Sequence, residues 1–207
     1  MCDTSKKIAI YGGSFSPVHY GHIKAARAYL TASEADKIII IPAKKPPHKS
    51  LDGSASDIDR INMCKLAFSQ DDELRLRFEV SDYEISRDRI SYTIDTVEHF
   101  RSLGYGDISI LIGTDMLLTF ESWCRFRELF EYVSVYYIDR YDEKKELTEQ
   151  KAEEFRQKYG AKIYAIHAPV FEASSSEVRR LICEGKSTDG IIPDCVREYI
   201  DKNGLYK

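Results

Sequence analysis

The chain has no excess of basic charge. Its 30 Lys and Arg residues are outnumbered by 34 Asp and Glu, for a formal net charge of −4, which argues against a nucleic-acid or anionic-membrane surface. Basic groups that matter must therefore act locally. No apolar run approaches the length of a membrane span, and "MCDTSKK" leads into only a few apolar residues before Gly12, so no signal-peptide core is expected. The five cysteines, Cys2, Cys64, Cys124, Cys183 and Cys195, are odd in number and never form a CxxC pair. That pattern fits reduced thiols rather than a disulfide frame or zinc site, and a soluble, cytoplasmic protein is the expectation. Internal repeats and low-complexity tracts are missing too. So are the G-x-x-x-x-G-K-[ST] phosphate loop and the G-x-G-x-x-G dinucleotide fingerprint.

What is present is a strand and helix alternation. With 207 residues and 43% hydrophobic content, the chain can bury one substantial core, and residues 1–207 are expected to form a single domain. β-rich segments predict strands over 6–11, 36–42, 107–113, 132–138 and 161–167, that at 36–42 a continuous apolar run, with "RFEV" as a shorter one. Between them, apolar residues recur at helical spacing: Ile23, Ala26 and Leu30; Ile61, Cys64 and Phe68 after a cap at Ser56 or Asp57; Ile94, Val97 and Phe100. Ala152, Phe155 and Tyr159 follow Thr148 as a possible cap, and two helices close the chain, the last with Pro193 near its first turn and Gly204 past its end. The expected class is α/β, a Rossmann-like doubly wound parallel sheet with helices on both faces. Its ligand site lies outside the carboxyl ends of the strands, which gathers the segments 12–22, 42–49, 113–123 and 169–176 on one edge.

The first of these segments reads "GGSFSPVHYGH". Glycines after a first strand let the backbone pass close to a ligand, and the following helix N-terminus offers amides and a partial positive charge to phosphate. His19 and His22, three residues apart near that helix start, can project two imidazoles from one face as donors to phosphate oxygens. By spacing alone the pair also fits an ordinary packing role.

The segment resembles the signature G-G-x-F-x-P-x-H-x-G-H of the nucleotidyltransferase superfamily that holds adenylyl- and cytidylyltransferases. Ser16 stands where many members carry Asp; a short side chain that bonds locally can still hold such a turn. Further landmarks are similar to those of the nicotinate mononucleotide adenylyltransferase family: "IPAKKPPHK" at 41–49, "ISYTIDTV" at 90–97, "GTDMLLTFESW" at 113–123, "SSSEVRR" at 174–180, and the ending "IPDCVREYIDKNGLY". They span nearly the whole chain.

The resemblance implies roles residue by residue. His19, His22 and Arg179 contact the ATP phosphates and carry catalysis; Gly12, Gly13, Ser14 and Phe15 pass under the nucleotide. Ser175, Ser176 and Lys49, with His48 beside it, bind phosphate, and Gly113 and Arg140 lie near the nucleotide. Thr93, Asp115 and Trp123 form the acceptor pocket, with Trp123 against the pyridine ring and Asp115 on sugar hydroxyls; Arg180 is solvated. Each segment also has a plainer reading, as a capped helix with surface arginines, a solvated basic loop or a packing tryptophan. The implied reaction joins nicotinate mononucleotide to the AMP part of ATP. Its nucleophile is already an anion at neutral pH, so no general base is required. Mg²⁺ carried with ATP fits the absence of a carboxylate cage, and no protein-held metal, nucleic acid or membrane partner is expected. Two alternatives remain open: a relative acting on nicotinamide mononucleotide or pantetheine phosphate, and a nucleotide-binding regulator without turnover.

Overall fold

The computed structural model describes residues 6–45, 55–139, 145–168, 171 and 173–207. Six strands, β1 (Lys7–Gly13), β2 (Lys37–Pro42), β3 (Phe78–Val80), β4 (Asp107–Gly113), β5 (Ser134–Asp139) and β6 (Ile163–His167), form one sheet in the order β3-β2-β1-β4-β5-β6. Every neighbouring pair in it is parallel.

The strand sequences explain why both faces are covered. β2 reads Lys-Ile-Ile-Ile-Ile-Pro, β-branched residues that pack well on a pleat and leave no polar face for water. Its alternation divides the core: Ile38 and Ile40 enter one apolar cluster, Ile39 and Ile41 the other. All four are 0% exposed, and burying each stabilises the fold by about 1.5–3 kcal/mol. Helices α1 (Tyr20–Ala32), α2 (Asp57–Ser69), α7 (Ser175–Cys183) and α8 (Asp194–Asn203) place their apolar stripes in the first cluster. The second cluster takes α3 (Thr93–Ser102), α4 (Thr114–Leu118), α5 (Phe126–Tyr132) and α6 (Lys145–Tyr159).

Several boundaries differ from expectation: β1 runs on through Gly13 and β6 begins only at Ile163. Thr148 is not a cap: α6 begins at Lys145, and Thr148 is 1% exposed inside it. It shares a helix face with Ala152, Phe155 and Tyr159, so its methyl group joins the stripe. The segment 113–123 is not an open loop but folds as α4 and a 3₁₀ turn, Phe120–Ser122, and α5 follows it. Helices this short carry little periodic signal. Because α5 runs through Tyr132, β5 starts only at Ser134. At the other end of the chain, Pro193 is the N-cap of α8 and Gly204 ends it at φ 61°, a left-handed turn that glycine adopts without cost.

Strand order reverses between β1 and β4. The chain leaves β1 toward the α1 face and β4 toward the α4 face, so a crevice opens between their carboxyl ends, where doubly wound sheets bind ligands. Those two strands end in Gly12–Gly13 and in Gly113.

Candidate active site

Room at the crevice is visible at its glycines. Among the described residues, and chain neighbours aside, a side-chain carbon added at Gly12 or at Gly113 meets no atom within 4 Å, whereas one at Gly13 comes 3.0 Å from the Phe15 ring. Phe15 itself adopts a left-handed backbone, φ 45°, and is fully buried. The turn thereby folds its ring back under the loop, edge-on to Tyr11 at 5.6 Å. The next peptide, Ser16-Pro17, is cis.

The histidine pair is locked by the start of α1. His19 is the N-cap and His22 the third helical residue, whose amide donates to the His19 carbonyl at 2.9 Å. The His19 amide donates to His22 Nδ1 at 3.2 Å. Neutral His22 therefore carries its proton on Nε2, a donor for an incoming anion. The two rings lie 3.8 Å apart between centroids; His22 rests on Phe15 at 4.9 Å, and His19 stacks on Phe171 at 5.6 Å with 15° between planes. His19 is 6% exposed and His22 half-buried. Gly21 makes this possible, because a Cβ there would fall 2.8 Å from Phe171 and 2.9 Å from the His19 ring.

Helix α7 forms the facing wall. Ser174 caps it, accepting from the Glu177 amide at 3.2 Å. Ser175 donates its hydroxyl to the Pro17 carbonyl at 2.9 Å. Arg179 donates through Nη1 to the Ser16 carbonyl at 2.7 Å and through Nη2 to Ser176 Oγ at 3.2 Å. Gly12 to His22 and Ser175, Ser176 and Arg179 are thus brought together. Arg180 turns outward into ion pairs with Glu177 and Glu184. Ser16 Oγ is 3.1 Å from the Tyr206 hydroxyl in a buried contact, so the closing residues of the chain brace the loop.

A third wall follows β2. The Ala43 amide donates to the Gly13 carbonyl at 2.9 Å and the Ser91 amide to the Lys45 carbonyl at 3.0 Å. Lys44 donates its amide to Ser91 Oγ at 3.0 Å. Lys44 and Lys45 extend to Asp57 and Asp88, respectively. Arg60, 1% exposed, donates to the Ser14 carbonyl at 2.8 Å and to Asp57 Oδ1 at 2.6 Å. Partial burial works to raise the Asp57 carboxyl, but its bonds to Lys44 and Arg60 outweigh that and hold it below the ordinary range. Sequence reasoning missed Arg60. Its signal was a charge on the buried stripe of α2, beside Met63 and Cys64, at the place the reading gave to Ile61. Lys49, His48 and Arg140 lie outside the described residues.

The expected acceptor residues stand on the other sheet face. Thr93 begins α3 half-buried, Asp115 is exposed in the first turn of α4, and Trp123 is half-buried after the 3₁₀ turn. Trp123 stacks on Phe120 at 4.7 Å, and Phe120 on Phe130 at 4.8 Å, so the indole is held firmly by the core. Arg125 ties α5 to α3 through Glu98 at 2.8 Å. Behind this wall Glu84 accepts from the Thr96 hydroxyl at 2.6 Å, and burial pushes its carboxyl above the ordinary range. Among the described residues, no group of three or more His, Cys, Asp and Glu side chains could hold a metal ion, and no helix is long and apolar enough to cross a membrane.

A parallel sheet ordered 3-2-1-4-5-6, with a glycine loop and an imidazole pair at its switch point, is the layout of a nucleotide-handling transferase. The chain belongs to the cytidylyltransferase-like family, whose profile matches residues 10–181. Within it, the chain is 35% identical over 201 residues to a Caldicellulosiruptor saccharolyticus protein named probable nicotinate-nucleotide adenylyltransferase, covering 97% of this chain and 99% of that one. A protein of the same name from Carboxydothermus hydrogenoformans is 36% identical over 202 residues, covering 97% and 98%. The fold is shared with Plasmodium falciparum nicotinic acid mononucleotide adenylyltransferase solved with NaAD, at TM-score 0.78 and 24% identity over 97% of each chain. It is shared also with a Vibrio parahaemolyticus structure described as a putative nicotinate-nucleotide adenylyltransferase, at TM-score 0.67 and 22% identity over 97% and 95%.

Proposed function

We propose that this protein transfers the adenylyl group of ATP to nicotinate mononucleotide, yielding nicotinate adenine dinucleotide and pyrophosphate in NAD biosynthesis, with residues 1–207 acting as one domain. The observation that carries this reading is the convergence of the His19–His22 pair and Arg179 on the glycine loop at the β1/β4 switch point. Full-length relatives named for this activity support it.

The phosphate of the acceptor is the nucleophile, and it attacks the α-phosphorus in line as pyrophosphate leaves. That oxygen is already ionised, its second pKa being about 6, so the protein's work is positioning and charge neutralisation. His22 Nε2–H and the Arg179 guanidinium donate to the phosphate oxygens, and His19 holds His22 in register. The open space over Gly12 and Gly113 admits the nucleotide. Ser175 ties the α7 wall to the loop at the Pro17 carbonyl and Ser176 accepts from Arg179, while both bind phosphate through their amides at the start of α7; Lys49 and Arg140 add charge to the phosphates. Trp123 stacks on the pyridine ring, Thr93 donates to its carboxylate, and Asp115 accepts from sugar hydroxyls. The donor set is imidazole, guanidinium and hydroxyl rather than carboxylate, which suits Mg²⁺ brought by ATP and held by its phosphates and water. That ion supplies charge neutralisation when bound. The free thiols of Cys64, Cys124, Cys183 and Cys195 suit a cytoplasmic setting.

Pyrophosphate release from MgATP, measured with nicotinate mononucleotide, nicotinamide mononucleotide and phosphopantetheine in parallel, tests the reading. Strong preference for nicotinate mononucleotide is expected. Turnover with another acceptor alone would retain the phosphate site and discard the assigned acceptor pocket.

A further inference from the structure

Two cations share one carboxylate beside the glycine loop. Asp57 receives Arg60 on Oδ1 and Lys44 on Oδ2. Arg60 is its permanent partner: the guanidinium is 1% exposed, is fixed also to the Ser14 carbonyl, and could not leave without abandoning a charge in the core. One negative charge against two positive ones leaves a surplus, and the surplus belongs to Lys44. Its side chain is 28% exposed, and its stem is four carbons of free rotation.

The backbone of Lys44 is meanwhile held in place. Ala43 continues the β1–β2 ladder onto the Gly13 carbonyl, and the Lys44 amide is pinned to Ser91 Oγ. The residue therefore sits where the glycine loop meets the segment Ser91–Thr93, between the two expected substrates. We propose that Lys44 is a further phosphate-binding residue, parked on Asp57 in the free protein and transferred to a substrate phosphate on binding. Asp57 needs no replacement for it, because Arg60 already neutralises that carboxylate. The inference rests on the nucleotidyl-transfer reading. The phosphate is either one of the ATP phosphates or that of the acceptor mononucleotide, since Lys44 borders both.

The test is Lys44→Met, which keeps the stem, removes the charge and leaves Asp57 and Arg60 as a balanced pair. KM for ATP and KM for nicotinate mononucleotide are measured separately, together with kcat and the urea midpoint, with Lys44→Arg as the charge-conserving control. A rise of about tenfold in one KM, the effect of losing a charge-assisted hydrogen bond, is expected, with Lys44→Arg near wild type and the urea midpoint almost unmoved. Which KM moves tells whose phosphate Lys44 holds. If both KM values stay within about twofold of wild type, Lys44 is only a structural ion-pair partner and the proposal is wrong. Inactivity of the wild-type protein with both substrates would instead bring down the nucleotidyl-transfer reading itself.

Discussion

A methyl group at residue 21 would sit 2.8 Å from the Phe171 ring and 2.9 Å from the His19 ring, so one of them must yield. Gly21→Ala is expected to lower turnover on the order of 10-fold, since displacement of a catalytic group by well under 1 Å is already costly. Stability should barely fall, because alanine in a helix regains about 0.5–1 kcal/mol over glycine. A variant with wild-type turnover would mean that the His19–Phe171 stack has no part in catalysis. His22→Ala removes the Nε2 donor outright. It should cost on the order of 10²-fold in kcat, as for loss of one preorganised donor to developing charge, while circular dichroism stays native. Near-normal turnover would contradict the role given to His22. Both residues were legible in the sequence because the motif is contiguous. Phe171, Arg60 and Tyr206 were not, because their parts depend on approach through space.

Elements were legible in proportion to their periodic signal. β2 is an unbroken apolar run after Lys37 and β4 one interrupted only by Ser109, and they begin and end within a residue of expectation. α4 and α5, of 5 and 7 residues, are too short for a stripe, and α6 started a turn early because threonine serves a stripe as well as a cap. The segment before α3 carries a pH-dependent term. Glu84 is half-buried against Thr96, and that burial raises its carboxyl above the unfolded reference of 4.5. The folded state therefore binds that proton more tightly than the unfolded state. Its contribution to stability is complete below pH 4.5 and is lost as pH rises through the higher folded value. Glu84→Gln removes the titration, so the stability of the variant relative to wild type should improve between about pH 4 and pH 7. A difference independent of pH, read from urea midpoints across that range, would refute it.

For the whole molecule, the informative contacts are those that sequence distance conceals. Ser16 meets Tyr206, Ser175 meets Pro17, and Arg179 meets Ser16, across separations of 190, 158 and 163 residues. The strand order supplies them: wrapping α7 and α8 over the α1 face brings the end of the chain to the loop after its first strand. The class of sheet and the edge that carries the site followed from the alternation of elements. The walls themselves, with Arg60 under Ser14 and Lys44 beside Asp57, required the folded arrangement. Separating adenylyl transfer from every other use of ATP is the most direct test of the central claim. ATP labelled at the α-phosphate, and in a parallel reaction at the γ-phosphate, is incubated with nicotinate mononucleotide and the protein. The account predicts the α label in the dinucleotide and the γ label in pyrophosphate. A γ label in free phosphate or on the acceptor, with the α label left in a mononucleotide, would contradict it.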